Sequence, residues 1–70
     1  MEIIFTIHAK YRIEKRKILE QEVIDSIKYP DKTIKKYSKY HFQKKLERGT
    51  IEICCEKTER NIKVITVYWL

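Results

Sequence analysis

The chain has few of the residues that interrupt regular structure, since its 70 residues include one glycine and one proline. This composition excludes long flexible loops and favours short connections. The chain also lacks any segment approaching the ~20 apolar residues of a membrane span. Its first apolar run, Ile3–Phe5, is too short for a signal peptide. We therefore expect a single domain over residues 1–70, in the cytoplasm and without membrane contact.

Cysteine and histidine are also scarce. Cys54 and Cys55 are adjacent in a segment that reads as a strand, so their side chains should point to opposite faces and form no disulfide with each other. His8 and His41 are isolated, and no pair of residues has the spacing of metal ligands. We expect neither a bound metal nor a cofactor.

Positive charge is plentiful. The chain has 16 lysines and arginines against 10 acidic residues, which gives a net charge of +6. Such an excess attracts nucleic acid, an anionic membrane surface or an acidic protein. Nucleic acid is the leading expectation.

The strongest local pattern is a basic stripe near the amino terminus. His8, Arg12 and Arg16 are four residues apart, which places them on one side of a helix. Arginine matches phosphate geometry, and histidine exchanges a proton near neutral pH. The stripe therefore indicates a phosphodiester partner, although a solvated helix face has the same pattern.

Two short helices are predicted after an opening strand at Ile3–Phe5. Thr6 is suited to cap a helix from about Ile7 to Arg16. A second helix covers about Glu20 to Lys28, where acidic residues suit the first turn. Pro30 prevents its continuation.

The rest of the chain reads as strands, with turns at Ser38-Lys39 and Arg48-Gly49. The predicted fold is α+β, with the N-terminal strand and two short helices packed on one face of an antiparallel sheet of about four strands. These four strands are Thr33–Tyr37, Tyr40–Leu46, Thr50–Glu56 and Ile62–Trp69.

Alternation along the strands predicts a second, partly open face of the sheet. In the last strand, it places Ile65, Val67 and Trp69 on one side and Ile62 and Val64 on the other. An ordinary solvated sheet face is the alternative to a reactive surface. The polar residues expected on the open face are His41, Lys45, Glu52, Thr66 and Tyr68.

The order of these motifs resembles a known family over nearly the whole chain. The motifs are Thr6-x-His8-Ala9-x-x-Arg12, a helix ending near Tyr29-Pro30-Asp31, and the closing Ile65-Thr66-Val67-Tyr68. They resemble the family called domain of unknown function 4258. The junction Lys17-Ile18-Leu19 departs from that family, because it lacks the usual glycine and helix cap.

That family is similar in architecture to the BrnT and RelE toxins, which are small basic ribonucleases of toxin–antitoxin pairs. The resemblance implies a RelE/BrnT-like fold, an RNA substrate and an acidic antitoxin protein as partner. A homodimer is a further expectation, because the core of so short a chain is small.

Metal-free RNA cleavage needs a base for the 2′-hydroxyl, an acid for the leaving oxygen and cations around the phosphate. We expect a metal-independent endoribonuclease. The alternatives are a non-catalytic module that binds nucleic acid or the ribosome, and a module that only docks an antitoxin. The predicted catalytic residues are His8, Arg12, His41 and Tyr68, and the predicted phosphate ligands are Arg16, Lys45, Arg48 and Arg60.

Overall fold

A computed structural model describes residues 2–70. Two helices follow the first strand, and four further strands complete the chain. Within the described residues, no helix has the length and apolar character needed to cross a bilayer. The elements in chain order are β1 Glu2–Phe5, α1 Ile7–Lys15, α2 Glu20–Lys28, β2 Lys32–Lys36, β3 Lys39–Leu46, β4 Gly49–Lys57 and β5 Asn61–Trp69.

All five strands belong to one mixed sheet in the order β1-β5-β4-β3-β2. The predicted α+β class with two helices is confirmed, but the prediction of a four-stranded antiparallel sheet is wrong. The N-terminal strand is a fifth member, and it pairs parallel with β5. This pairing sets Ile3 beside Ile62 and Phe5 beside Val64, so it extends the apolar face of the sheet.

The core lies between the helices and one face of the sheet. Ala9 and Ile13 of α1 and Val23 and Ile27 of α2 are buried, as the apolar spacing predicts. The strand residues packed against them in the core are Ile51, Ile53, Cys55, Val64 and Val67.

Thr6 joins β1 to α1 in two ways. Its Oγ1 accepts a hydrogen bond from the backbone N–H of Ala9 at 3.0 Å, which confirms the predicted cap. The same hydroxyl donates to the carbonyl oxygen of Val64 at 3.1 Å. The start of α1 is thereby fixed to β5.

The connection between the helices works without the glycine and cap that the sequence lacks. Lys17 takes the left-handed conformation, with φ of 56°, and Ile18 N–H donates to the carbonyl of Ile13 at 2.9 Å. At the start of α2, Leu19 supplies no side-chain cap. The carboxylate of Glu22 instead accepts from Leu19 N–H at 3.0 Å.

A β-bulge in β5 changes the faces that its residues occupy. Ile65 has no partner on β4, so the alternation shifts there by one residue. Val64 consequently lies on the core side together with Val67 and Trp69. The predicted placement of Ile62 and Val64 on the side opposite Val67 and Trp69 is wrong, because simple alternation takes no account of a bulge.

Two turns lie one residue earlier than predicted. The β2–β3 turn is Tyr37-Ser38, where Tyr37 has a φ of 60°. The β3–β4 turn is Glu47-Arg48, and Gly49 begins β4 with a φ of 137°. A side chain at Gly49 would be strained by this φ and would also contact the ring of Trp69.

Candidate active site

The face of the sheet opposite the helices, which we call the open face, carries side chains in register across β2, β3, β4 and β5. Directly paired residues on neighbouring strands point to the same side, so each row brings four side chains together. One row is Lys32, Gln43, Glu52 and Tyr68, and the next is Ile34, His41, Cys54 and Thr66.

Glu52 is the centre of a hydrogen-bonded group on this face. Glu52 lies in β4, the middle strand of the sheet, and is only 8% exposed. Gln43 Nε2 donates to Oε1 at 2.7 Å, and the hydroxyl of Tyr68 donates to Oε2. His41 Nδ1 lies 3.4 Å from Oε2. We call Glu52, His41, Gln43 and Tyr68 the Glu52 cluster.

The Glu52 cluster contains the parts of an acid–base system. Burial of a carboxylate is unfavourable unless donors surround it, and here Gln43 and Tyr68 supply them. Nδ1 of His41 faces the carboxylate, so Nε2 is the ring nitrogen left to exchange a proton with a substrate. A side chain held in this way is a candidate general base.

Lysines surround the Glu52 cluster on the open face. None of these lysines forms an ion pair within 4.0 Å with another residue between 2 and 70. Their charges are therefore available to a polyanion. These lysines are Lys32, Lys36, Lys39, Lys45 and Lys63.

The basic stripe lies on α1, beside the part of β5 that continues past its pairing with β1. Arg12 Nε donates to Nε2 of His8 at 3.4 Å on the exposed side of α1. Arg16 Nη1 donates to the carbonyl oxygen of Val67 at 3.0 Å, next to Tyr68 in the chain. The predicted alignment of the stripe is confirmed. Among the described residues, neither His8 nor Arg12 has a hydrogen bond to the Glu52 cluster.

The other predicted phosphate ligands lie apart from one another. Lys45 is on the open face, whereas Arg60 is exposed in the β4–β5 turn. Arg48 binds both carboxylate oxygens of Glu22, at 2.9 and 2.8 Å, and lies over the ring of Trp69. This bond lowers the pKa of Glu22. The guanidinium of Arg48 therefore already has an anionic partner.

Two members of the Glu52 cluster were not among the predicted site residues. The sequence predicts Glu52 on the open face without a catalytic role, and it predicts no role for Gln43. A signal for Glu52 does exist, because it interrupts an apolar strand between Ile51 and Ile53. Gln43 has no such signal, since its role follows from its register opposite Glu52.

The two cysteines are free thiols on opposite faces, as the sequence predicts. Cys54 pairs with His41 on the open face, and Cys55 belongs to the core. Burial raises the pKa of Cys55 to about 12 and also raises the pKa of Cys54. Both thiols stay protonated at neutral pH, so they are poor nucleophiles.

Residues 5–69 match the family described as Domain of unknown function (DUF4258). The match covers most of the chain, and this protein belongs to that family. No curated protein and no solved structure matches the chain significantly. The family resemblance is confirmed, whereas the similarity to the BrnT and RelE toxins stays a prediction.

Proposed function

We propose that this protein is a metal-independent endoribonuclease of the RelE/BrnT-like toxin type, and that the Glu52 cluster is its active site. One observation carries the proposal. A buried carboxylate in contact with a histidine and a tyrosine lies at the centre of an uncovered, lysine-rimmed sheet face. Proton-transfer groups and unpaired cations are the two requirements for metal-free cleavage of RNA.

In the proposed reaction, Nε2 of His41 takes the proton of a ribose 2′-hydroxyl. The 2′-oxygen attacks phosphorus, the bond to the 5′-oxygen breaks, and Tyr68 gives its hydroxyl proton to the departing oxygen. Glu52 lies against Nδ1 of His41 and stabilises the imidazolium that forms. His41 then loses its Nε2 proton to water and Tyr68 regains a proton from water, which restores the starting state. The products are a 2′,3′-cyclic phosphate and a 5′-hydroxyl.

The basic stripe has a supporting place in this proposal. Arg16 donates to the carbonyl of Val67, the residue before Tyr68 on β5. Tyr68 is paired with Glu52 on the neighbouring strand, roughly 5 Å away. Arg12 extends the positive charge along α1, where its Nε donates to Nε2 of His8. We propose that this stripe holds a phosphate next to the scissile one. A catalytic role for His8 and Arg12 stays a prediction.

The test is cleavage of labelled single-stranded RNA in EDTA. We expect Glu52→Gln to slow cleavage by roughly 100-fold or more, because proton transfer contributes at least that factor. Glu56→Gln is the matched control, since Glu56 lies on the same strand and face outside the cluster. Full activity in Glu52→Gln, with loss of cleavage in His8→Ala, would move the active site to α1.

The net charge of +6 supports an acidic antitoxin as a second partner. We expect such an antitoxin to bind the lysines of the open face and to inhibit cleavage competitively with RNA. Retained cleavage in the antitoxin complex would place the docking surface elsewhere.

A non-catalytic RNA-binding module is the second candidate. It is favoured by the hydrogen bonds that already occupy both oxygens of Glu52, from Gln43 and Tyr68. Such a module would bind RNA through lysines and leave it intact, and Glu52→Gln would leave the affinity for RNA unchanged.

A further inference from the structure

A groove opens on the helix-side face of the sheet, at the end near the β2–β3 turn. It is formed entirely by strand residues, because α1 lies along β5 and α2 lies at the opposite end, where Lys44 bonds the carbonyl of Tyr29. The groove is mainly apolar. Its lining residues are Thr33, Tyr40, Phe42, Cys55, Lys57 and Ile62.

The groove has an aromatic wall. The rings of Tyr40 and Phe42 are stacked, with their centroids 6.0 Å apart and their planes at 8°. Both residues are half-buried, so the helices leave part of this wall uncovered. Aromatic walls of this kind favour flat, unsaturated rings.

Cations lie at the mouth of the groove. Lys35 Nζ and Lys57 Nζ are 5.5 and 5.8 Å from the ring centroid of Tyr40. Neither lysine has an ion pair within the described chain, residues 2–70. A wider hollow of about 500 Å³ continues from the groove past these lysines, Tyr37 and Ser38. The groove thus combines an apolar floor with a positive rim.

The size of the groove favours a single ring. Its volume is about 150 Å³. An apolar cavity of roughly that volume accommodates one six-membered ring such as benzene. A pyrimidine matches this volume, whereas the two fused rings of a purine would extend into the adjoining hollow.

We infer that this groove is a nucleotide subsite that takes a pyrimidine base against Tyr40 and Phe42, with the attached phosphate on Lys35 and Lys57. The inference rests on the proposed RNA substrate and adds a base preference to it. Charge complementarity favours a nucleotide over an uncharged ring, because the rim has two unpaired lysines.

The β2–β3 turn connects this subsite with the open face. Lys35 and Tyr40 face the groove, whereas their chain neighbours Lys36 and Lys39 face the opposite side. Tyr37, at the tip, is 91% exposed. Basic and aromatic side chains therefore continue around the tip, along a path suited to single-stranded RNA.

The test uses uridine 5′-monophosphate, adenosine 5′-monophosphate and inorganic phosphate as separate probes in an NMR titration of the amide signals. None of these probes is an RNA chain, so binding is measured independently of cleavage. We expect uridine monophosphate to shift the signals of Thr33, Tyr40 and Ile62 in a saturable way. Adenosine monophosphate should bind at least about fivefold more weakly, because only part of its larger base fits within the apolar groove.

Two variants test the location. Thr33→Trp fills the groove from an exposed strand position that tolerates a large aromatic residue, and it should abolish the shifts. Lys57→Gln should weaken binding by several-fold through loss of a phosphate contact. Lys28→Gln, at an exposed position on α2, is the matched control and should bind like the wild type.

Equal binding of the two nucleotides would overturn the pyrimidine preference. Shifts from inorganic phosphate equal to those from the nucleotide, confined to the lysines, would overturn the base subsite. Concentration-dependent shifts without any probe would show that a second copy of the chain covers the groove instead. Binding of uridine monophosphate without RNA cleavage would support the subsite and count against the nuclease.

Discussion

At the scale of single residues, the open face depends on how Glu52 is accommodated. A carboxylate in the middle strand loses most of its hydration, and the hydrogen bonds from Gln43 and Tyr68 replace it. The same bonds fix the orientation of the carboxylate toward His41. Stability and proposed chemistry therefore involve the same side chains.

Tyr68→Phe tests this arrangement. The variant removes one donor to Glu52, and we expect it to lower the free energy of unfolding by roughly 1–3 kcal/mol, measured with urea. Tyr29→Phe, at a position 69% exposed, is the control and should unfold like the wild type. A double variant with Glu52→Gln should lose less stability than the sum of the single changes, because the two side chains interact. Strict additivity would contradict the coupling.

The sequence predicts some of these residues better than others. Alternation along the strands is enough to place His41 and Tyr68 on one face. The contact of both with Glu52 depends on the pairing of three strands, and local patterns do not determine that register. For Arg48, the sequence predicts a phosphate ligand, whereas the structure shows a bond to Glu22. The two residues are 26 positions apart, so no local pattern indicates this bond.

At the scale of elements, the start of α1 depends on Thr6. We expect Thr6→Ala to lower the free energy of unfolding by about 1 kcal/mol, because the cap to Ala9 and the bond to Val64 are both lost. Thr6→Ser retains the hydroxyl and is the control. Equal stability of the alanine and serine variants in urea unfolding would contradict this role.

The bond between α2 and the β3–β4 turn predicts a pH dependence. Arg48 lowers the pKa of Glu22 below 4.5, so this bond stabilises the folded state above that pH. The stabilisation is lost as the pH falls through the lowered pKa. Thermal unfolding should therefore show a lower Tm for Arg48→Gln at pH 7, with the difference from wild type shrinking below about pH 4.5. A difference that is constant with pH would contradict the ion-pair contribution.

The elements themselves are well predicted, whereas their assembly is not. Helix bounds follow from Thr6, from the acidic start of α2 and from Pro30, all of which act locally. The parallel pairing of β1 and the bulge at Ile65 depend on contacts between the two ends of the chain. No local spacing contains that information. The sheet predicted from the sequence therefore has one strand too few and places Val64 on the wrong face.

At the scale of the whole molecule, the net charge of +6 favours binding of RNA. The lysines of the open face form no ion pair with the residues described, so they can contact phosphates. RNA affinity should fall with salt, by a log–log slope of roughly −0.7 for each phosphate contacted. Replacing both Lys39 and Lys63 with glutamine should reduce that slope by roughly 1 to 1.5. Lys28→Gln on α2 is the control, and an equal effect there would show that binding is not confined to the open face.

The chemistry of the cleaved ends tests the proposed nuclease most directly. We expect the wild type, in EDTA, to leave 2′,3′-cyclic phosphate ends that mass spectrometry detects, and a single 2′-deoxy substitution at the cleaved position to block that cut. Glu52→Gln should form these ends at least roughly 100-fold more slowly. Intact RNA after prolonged incubation with the wild type, or cleavage that persists at the 2′-deoxy position, would contradict the account.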